Sequence, residues 1–318
     1  MSSRPVPLLA LVVPCYNEEE TLPDTLAALA ALLEKLKAAG RIRSDSYALY
    51  VDDGSRDTTW ELLEARYAVE PFCRAVSFAA NGGHQNALWA GMDMARQWGV
   101  DCIISLDADL QDDISVVPEM LDLYARGCDI VYGVRNDRRT DTAFKRRTAA
   151  MFYGMMRWLK VPLVPHHAGY RLVARAVLDV LPGIKEQKLF LRGLFPSMGF
   201  RSGSVYYARL SRRAGETKYP FWKMLSFAWQ GITSCSAAPL RLAGIMSFLC
   251  MLAAVGYSLV SLYKYMAGET IQGWTSMIIV VLMLGSVQLF CLAVMGEYLA
   301  KIFTEVRRKP RYIVEKVL

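Results

Sequence analysis

From its first residues the chain alternates short apolar runs with longer stretches of helical periodicity. "LLALVVP" has the length of a buried strand, and "EEETLPDTLAALAALLEKLKAAG" then repeats apolar residues every three or four positions before stopping at Gly40, the pattern of an amphipathic helix. The same alternation continues. "YALYVDDGS", "CRAVSFAAN", "DCIISLDAD" and "DIVYGVR" read as strands, separated by the helical patterns "TTWELLEARYAV", "HQNALWAGMDMARQWG" and "SVVPEMLDLYARG". Strands joined by helices of about a dozen residues predict an α/β fold: a mainly parallel, Rossmann-like sheet with helices on both faces. In such sheets ligands bind beyond the carboxyl ends of the strands. Three of the runs end in polar residues, "PCYNE", "VDDGS" and "LDADLQDD", and these ends are expected to converge on one crevice.

The second half changes character. "TAFKRRTAAMFYGMMRWLKVP" reads either as a helix at a membrane interface or as a core helix with a basic end, and the aromatic-rich "YPFWKMLSFAWQGITS" reads as interfacial. Leu242–Tyr263 and Trp274–Met295 contain no charge, and each has the roughly 20 residues a helix needs to cross a bilayer. A short connector makes them a hairpin. The connector carries one basic residue, Lys264, whereas Arg212, Arg213, Lys218, Lys223 and Arg241 precede the hairpin and Arg307, Arg308, Lys309 and Arg311 follow it. The positive-inside rule then puts both ends in the cytoplasm. The expected organisation is a cytoplasmic catalytic domain over 1–218, an interfacial linker over 219–241, two transmembrane helices over 242–303 and a basic cytoplasmic tail over 304–318.

Composition agrees with this division. Hydrophobic residues make up 53% of the chain, with the excess after residue 240, and the formal net charge is +7. Basic clusters beside apolar segments suit an anionic membrane surface or a phosphorylated ligand. No nucleic-acid motif accompanies them, so nucleic acid is not an expected partner. Cysteines at 15, 73, 102, 128, 235, 250 and 291 show no CxxC or CxH spacing, which argues against a zinc site or a disulfide framework and fits a reducing compartment. The N-terminal apolar stretch is short and runs into acidic residues, so it reads as a first strand rather than a secretion signal.

"LDADLQDD" places four aspartates at the end of a buried run. Asp is a common turn residue, yet a D-x-D pair at a strand end also sets two hard oxygen ligands in the crevice. That chemistry suits Mg²⁺ or Mn²⁺ bridging Asp109 to a diphosphate and neutralising its charge as it leaves. In "VDDGSRDTT", Gly54 permits a tight turn; Asp52 could bond a ribose hydroxyl or a base N–H, and Ser55 or Asp57 could cap the next helix.

"VVPCYNEEETL", "VDDGSRDTT", "NGGHQNALWAGMD" and "LDADLQDD", in this order and spacing, resemble family-2 glycosyltransferases of the glycosyltransferase-A fold. The later "GVRNDR", "FKRR", "HHAGYRLVAR", "KLFLRGLFPSMGF", "RRAGETKYP" and "GEYLAKIFTEVRRKPRYIV", with two membrane helices, are similar to the bacterial polyprenyl-phosphate glycosyltransferases, including bactoprenol glucosyltransferases. Dolichyl-phosphate mannose synthases and aminoarabinose transferases are related. The resemblance covers nearly the whole chain and implies a place in a bacterial inner (plasma) membrane. It implies a nucleoside pocket lined by Pro14, Tyr16, Asn17 and Glu18 with Asp52 at the base. It implies ribose, diphosphate and metal contacts from Asp107, Ala108, Asp109 and Gln111, and phosphate contacts from Arg135, Lys145, Arg146, Arg213 and Lys218, the last two on a lid.

One position departs from the pattern: many such enzymes carry an acid where this chain has Gly169, and Asp113 and His167 are the candidate substitutes. The implied reaction is inverting transfer of a hexose, glucose by default, from a UDP-sugar to polyprenyl (undecaprenyl) phosphate, by an enzyme expected to form homo-oligomers. UDP-4-formamido-arabinose and GDP-mannose are alternative donors. A processive polysaccharide synthase fits less well, because "WQGITS" lacks the Arg-Trp ending of that acceptor motif and such enzymes usually have more membrane helices. A non-catalytic scaffold would not need acidic strand ends.

Overall fold

The computed structural model describes residues 4–70, 72–135, 167–187, 189–208, 238–267, 273–307 and 309–318. The chain divides into two compact units, Met1–Tyr219 with Lys309–Leu318, and Pro220–Arg308.

The first unit holds an eight-stranded sheet of β1 (Leu9–Cys15), β2 (Tyr47–Asp52), β3 (Cys73–Phe78), β4 (Cys102–Ser105), β5 (Ile130–Arg135), β6 (His167–Ala174), β7 (Ser202–Tyr207) and β8 (Val314–Val317), in the order β7-β5-β6-β4-β1-β2-β3-β8. Helices α1 (Leu22–Ala38), α2 (Thr59–Tyr67), α3 (His84–Gln97) and α4 (Val117–Ala125) connect the early strands. Every residue of β1 and β2 is buried, because helices cover both faces of the sheet. Side chains alternate across it. Leu9, Leu11 and Val13 meet the core formed with Leu29 and Leu33 of α1, Trp60 and Leu63 of α2 and Met120 of α4. Ala10 and Val12 meet the opposite core, with Leu88, Trp89 and Met92 of α3.

Gly91 explains how closely α3 approaches the sheet. A Cβ there would collide with Val12 Cγ1 and come within 3.0 Å of Val51 Cγ2. Both neighbours are stiff β-branched side chains. Gly91→Ala is therefore expected to lower stability by about 1–3 kcal/mol through overpacking, outweighing the helix propensity that alanine adds; a thermal melt reads the difference.

The expected mainly parallel α/β sheet is present, with two additions. β6, which contains "HAGYRLVA", inserts antiparallel between β4 and β5. The segment expected to be a basic tail divides: from Lys309 onward the residues belong to the first unit, and β8 pairs antiparallel with β3. Leu318 N donates to Ala75 O at 2.8 Å, Ala79 N donates to Ile313 O at 3.0 Å, and the Tyr312 ring stacks on Phe78 with centroids 5.2 Å apart. The physical reason is an edge. Without β8, β3 would present its unpaired backbone groups to solvent.

The second unit is a helical hairpin of α5 (Ala238–Met266) and α6 (Trp274–Val306). The helices pack together where Ser247 Oγ lies 3.2 Å from Cys291 Sγ, and Cys291 Sγ donates to Ala243 O at 3.5 Å. Among the described residues, Met283–Val306 is long and apolar enough to cross a membrane, while Leu242–Tyr257 is a shorter apolar stretch. The second helix runs unbroken from Trp274 through Glu297 and Lys301 to Val306.

Candidate active site

β1 lies between β4 and β2 in the sheet, so the three polar strand ends expected to converge are neighbours. Backbone and side-chain bonds lace them together. Asp53 N donates to Cys15 O at 2.9 Å and Leu106 N to Val12 O at 3.0 Å. Asn17 N donates to Ser55 Oγ and Asn17 Oδ1 accepts from Arg56 N, both at 2.9 Å, while Thr25 Oγ1 donates to Ala108 O at 2.6 Å. Among the described residues, the non-glycine residues with positive φ are Asn17 (54°) and Leu110 (48°), one in each of two converging loops. Asn tolerates that region. Leu does not, and its strain of about 1–3 kcal/mol is held by the turn in which Asp109 Oδ1 accepts from Gln111 N at 3.2 Å.

The four aspartates of "LDADLQDD" separate into two kinds. Asp112 is buried and accepts at Oδ1 from Tyr207 Oη at 2.5 Å and from Arg135 Nη2 at 3.2 Å, and Arg135 Nε donates to Tyr207 Oη at 3.2 Å. This knot ties the ends of β5 and β7 beneath the loop, so the Arg135 guanidinium, expected to gather phosphates, binds an internal carboxylate. Asp113 caps the following turn through Ser115 N at 2.9 Å. Asp107 and Asp109 are both half-buried, and the Asp107 side chain is 36% exposed. Burial holds its carboxyl above the usual carboxylate range; nearby His84 and Arg135 oppose the shift, and Asp112 and Asp109 add to it. Gln111 is buried, and its Nε2 has no hydrogen-bond partner.

The aspartates of "VDDGS" are both buried. Asp52, expected at the nucleoside base, accepts from Ser55 N at 3.1 Å and Ser77 Oγ at 2.8 Å, and so shapes the turn beneath the pocket. Asp53 accepts from Gly82 N at 2.6 Å and Gly83 N at 2.9 Å, which fixes the start of α3. Asp57 Oδ1 accepts from Thr59 N at 3.1 Å, the capping role read from sequence. Pro14 is buried within β1, which ends at the buried Cys15, and Tyr16 just beyond the strand is 43% exposed, presenting an aromatic face at the strand end. A cleft of about 530 Å³ opens against Asn17, Glu18, Glu19, Glu20, Thr21, Arg56 and Asp57. Its four carboxylates outnumber the one guanidinium, of Arg56, and give the cleft a negative lining.

One residue at that end was not singled out by the sequence reading. His84, the first residue of α3, has Nε2 at 3.7 Å from Asp107 Oδ1 and a side chain 47% exposed. Gly169 of β6 lies against both: a Cβ there would stand 3.5 Å from Asp107 Oδ1 and 3.9 Å from His84 Nε2. The Gly169 carbonyl is fixed by Ser105 Oγ at 2.6 Å and Arg171 Nε at 3.2 Å. Arg171 is itself buried, and burial pushes its guanidinium down to about 10. The expected phosphate contacts Lys145, Arg146, Arg213 and Lys218, both interfacial segments and the His167 side chain lie outside the described residues.

The family model "Glycosyl transferase family 2" matches residues 10–181, and "GtrB C-terminal hairpin" matches 238–302. An uncharacterized glycosyltransferase of Bacillus subtilis (strain 168), YkoT, is 44% identical over 309 residues, covering 97% of this chain and 91% of the relative. The prophage bactoprenol glucosyl transferase homolog of Escherichia coli (strain K12) is 33% identical over 311 residues, covering 97% and 99%. The bactoprenol glucosyl transferase of Shigella phage SfII is 33% identical over 310 residues, covering 97% of each chain. With its strand-end loops gathered on one edge of a glycosyltransferase-A sheet, the chain belongs to glycosyl transferase family 2 and is a glycosyltransferase carrying a GtrB-type C-terminal hairpin.

Proposed function

We propose that this glycosyltransferase moves glucose from UDP-glucose to the phosphate of a polyprenyl carrier, with inversion at the anomeric carbon and a divalent cation at the donor. The observation that carries the reading is the place of the hairpin in the chain. β7 precedes it and β8 follows it, and both belong to one sheet. A hairpin bracketed in this way crosses a bilayer an even number of times, leaving both its ends on the catalytic side. Its surface suits lipid: Leu249, Leu259, Met283 and Leu299 are each more than half exposed, and so large an apolar surface is unfavourable in water. Arg307, Lys309 and Arg311 after the hairpin favour the cytoplasmic side. Relatives named bactoprenol glucosyl transferase supply the acceptor class and the default sugar.

The residues present fit a divalent cation of the Mg²⁺ kind. Among the described residues no three His, Cys, Asp or Glu side chains are grouped to hold an ion by themselves, but Mg²⁺ commonly takes one or two carboxylates and completes its shell with substrate phosphates and water. Asp107 and Asp109 would hold it, and the buried Gln111 amide would serve the same ligand oxygens. When bound, the ion supplies positive charge against the leaving diphosphate.

The acceptor needs little help from the protein. A phosphate monoester has a second pKa of about 6, so at neutral pH it brings its own anionic oxygen. That oxygen forms the new bond to the anomeric carbon from the face opposite the diphosphate. The bond to the diphosphate breaks, and its electron pair leaves with UDP. No proton has to be removed, so Gly169 is compatible with activity. Lys145, Arg146, Arg213 and Lys218 are assigned to hold the two anions together. Activity is expected to fall as the pH drops below about 6, where the acceptor takes up its second proton, and to lose no step to a missing base at higher pH; a pH–rate profile checks this.

The donor is tested by offering membranes containing the protein a panel of labelled UDP-glucose, UDP-4-formamido-arabinose and GDP-mannose with polyprenyl phosphate. Label entering lipid from UDP-glucose alone supports the reading. Lipid labelled only from another donor replaces the sugar.

A further inference from the structure

His84 and Asp107 approach each other across a gap that they do not close. At 3.7 Å, Nε2 and Oδ1 are too far apart for a hydrogen bond, yet the backbone beside each residue is fixed from behind. His84 begins α3, whose first turn is held by Asp53 through Gly82 and Gly83. Asp107 follows the end of β4, where Leu106 N is bonded to Val12 O. The third side of the gap is Gly169, whose missing side chain leaves the space open and whose carbonyl is held by Ser105 and Arg171. An imidazole N–H, a carboxylate suited to a cation and a bare strand thus surround one position.

We propose that His84 is a substrate-binding residue whose imidazole donates to a phosphoryl oxygen in this gap, with Gly169 providing the room. The assignment rests on the functional reading above, and goes beyond it by adding a ligand group from α3 to the acidic strand ends. Two phosphoryl groups share the needed chemistry, the diphosphate of the donor and the phosphate of the acceptor. A hydrogen bond to a charged oxygen is worth roughly a tenfold or larger change in affinity.

The test uses the full-length protein in detergent, with two independent variants. His84→Phe removes the donor, and Gly169→Val fills the gap with a side chain that strands accept readily. His84→Gln restores an amide donor. Calorimetry measures UDP binding with Mn²⁺ present, and initial rates give KM for polyprenyl phosphate. His84→Phe and Gly169→Val are both expected to weaken the same one of these at least about tenfold, with His84→Gln recovering most of the loss. A change in UDP affinity identifies the donor diphosphate; a change in KM with UDP binding intact identifies the acceptor phosphate. Wild-type UDP affinity and KM in either Phe or Val variant, at an unchanged melting temperature, would overturn the assignment. If the wild-type protein binds UDP but makes no lipid product, the acceptor reading fails, while the UDP arm still decides for or against His84.

Discussion

Asp109→Asn is expected to reduce transfer on the order of 100-fold or more while leaving the fold intact, since Lewis-acid stabilisation is worth several kcal/mol and each 1.4 kcal/mol is tenfold. The substitution separates two jobs of one side chain. An asparagine keeps the Oδ1 acceptor that receives Gln111 N at 3.2 Å, so the turn with its left-handed Leu110 persists. It removes the negative charge that a divalent cation would meet. Activity of the variant, its melting temperature and its response to added Mn²⁺ are the measurements. Full turnover by Asp109→Asn in the presence of EDTA would show that no metal works at this strand end.

Deleting residues 309–318 is expected to destabilise the catalytic unit by on the order of 3–5 kcal/mol, as several backbone hydrogen bonds, an aromatic stack and a cation–π contact are lost together. These are the bonds of Leu318 and Ile313 to Ala75 and Ala79, the Tyr312–Phe78 stack, and Arg311 over the Trp89 ring at 4.4 Å. The damage reaches the site. Arg311 O lies 3.6 Å from where a Cβ on Gly82 would stand, and Gly82 is one of the two glycines that Asp53 uses to fix the start of α3. A large drop in melting temperature, with weakened nucleotide binding, is the expected result; an unchanged melt would reduce β8 to a surface ornament. A soluble catalytic fragment ending before the hairpin lacks this strand, so it is expected to be less stable than one in which 309–318 is supplied.

The central strands were legible because burial on both faces leaves continuous apolar runs, and the residues of β1 and β2 carry that signature. The alternation of helices and strands then gave the layer order, and with it the meeting of three polar strand ends. The D-x-D pair was legible for the same reason: it sits where a buried run stops. What the letters did not separate was Asp107 and Asp109 from Asp112 and Asp113. Asp112 is internal because Arg135 and Tyr207 reach it from β5 and β7, strands far away in the chain. His84 was hidden similarly, since its significance depends on Asp107 and Gly169, which only the sheet brings beside it. β8 escaped because four residues, three of them exposed, after a run of basic ones carry almost no periodicity. Asp52 shows the converse: a residue type suited to binding a nucleoside is buried against Ser55 and Ser77.

Transfer to lipid is the step on which everything else depends, and it is directly measurable. The purified full-length protein, in vesicles containing undecaprenyl phosphate, is given UDP-glucose labelled in the sugar, with Mn²⁺ or Mg²⁺. Label is expected to pass into the solvent-extractable lipid one glucose per carrier, with inverted anomeric configuration, to be released by mild acid, and to depend on both the carrier and the cation. Label that stays in water, or that accumulates as polymer rather than as a single sugar on lipid, would contradict the proposed function.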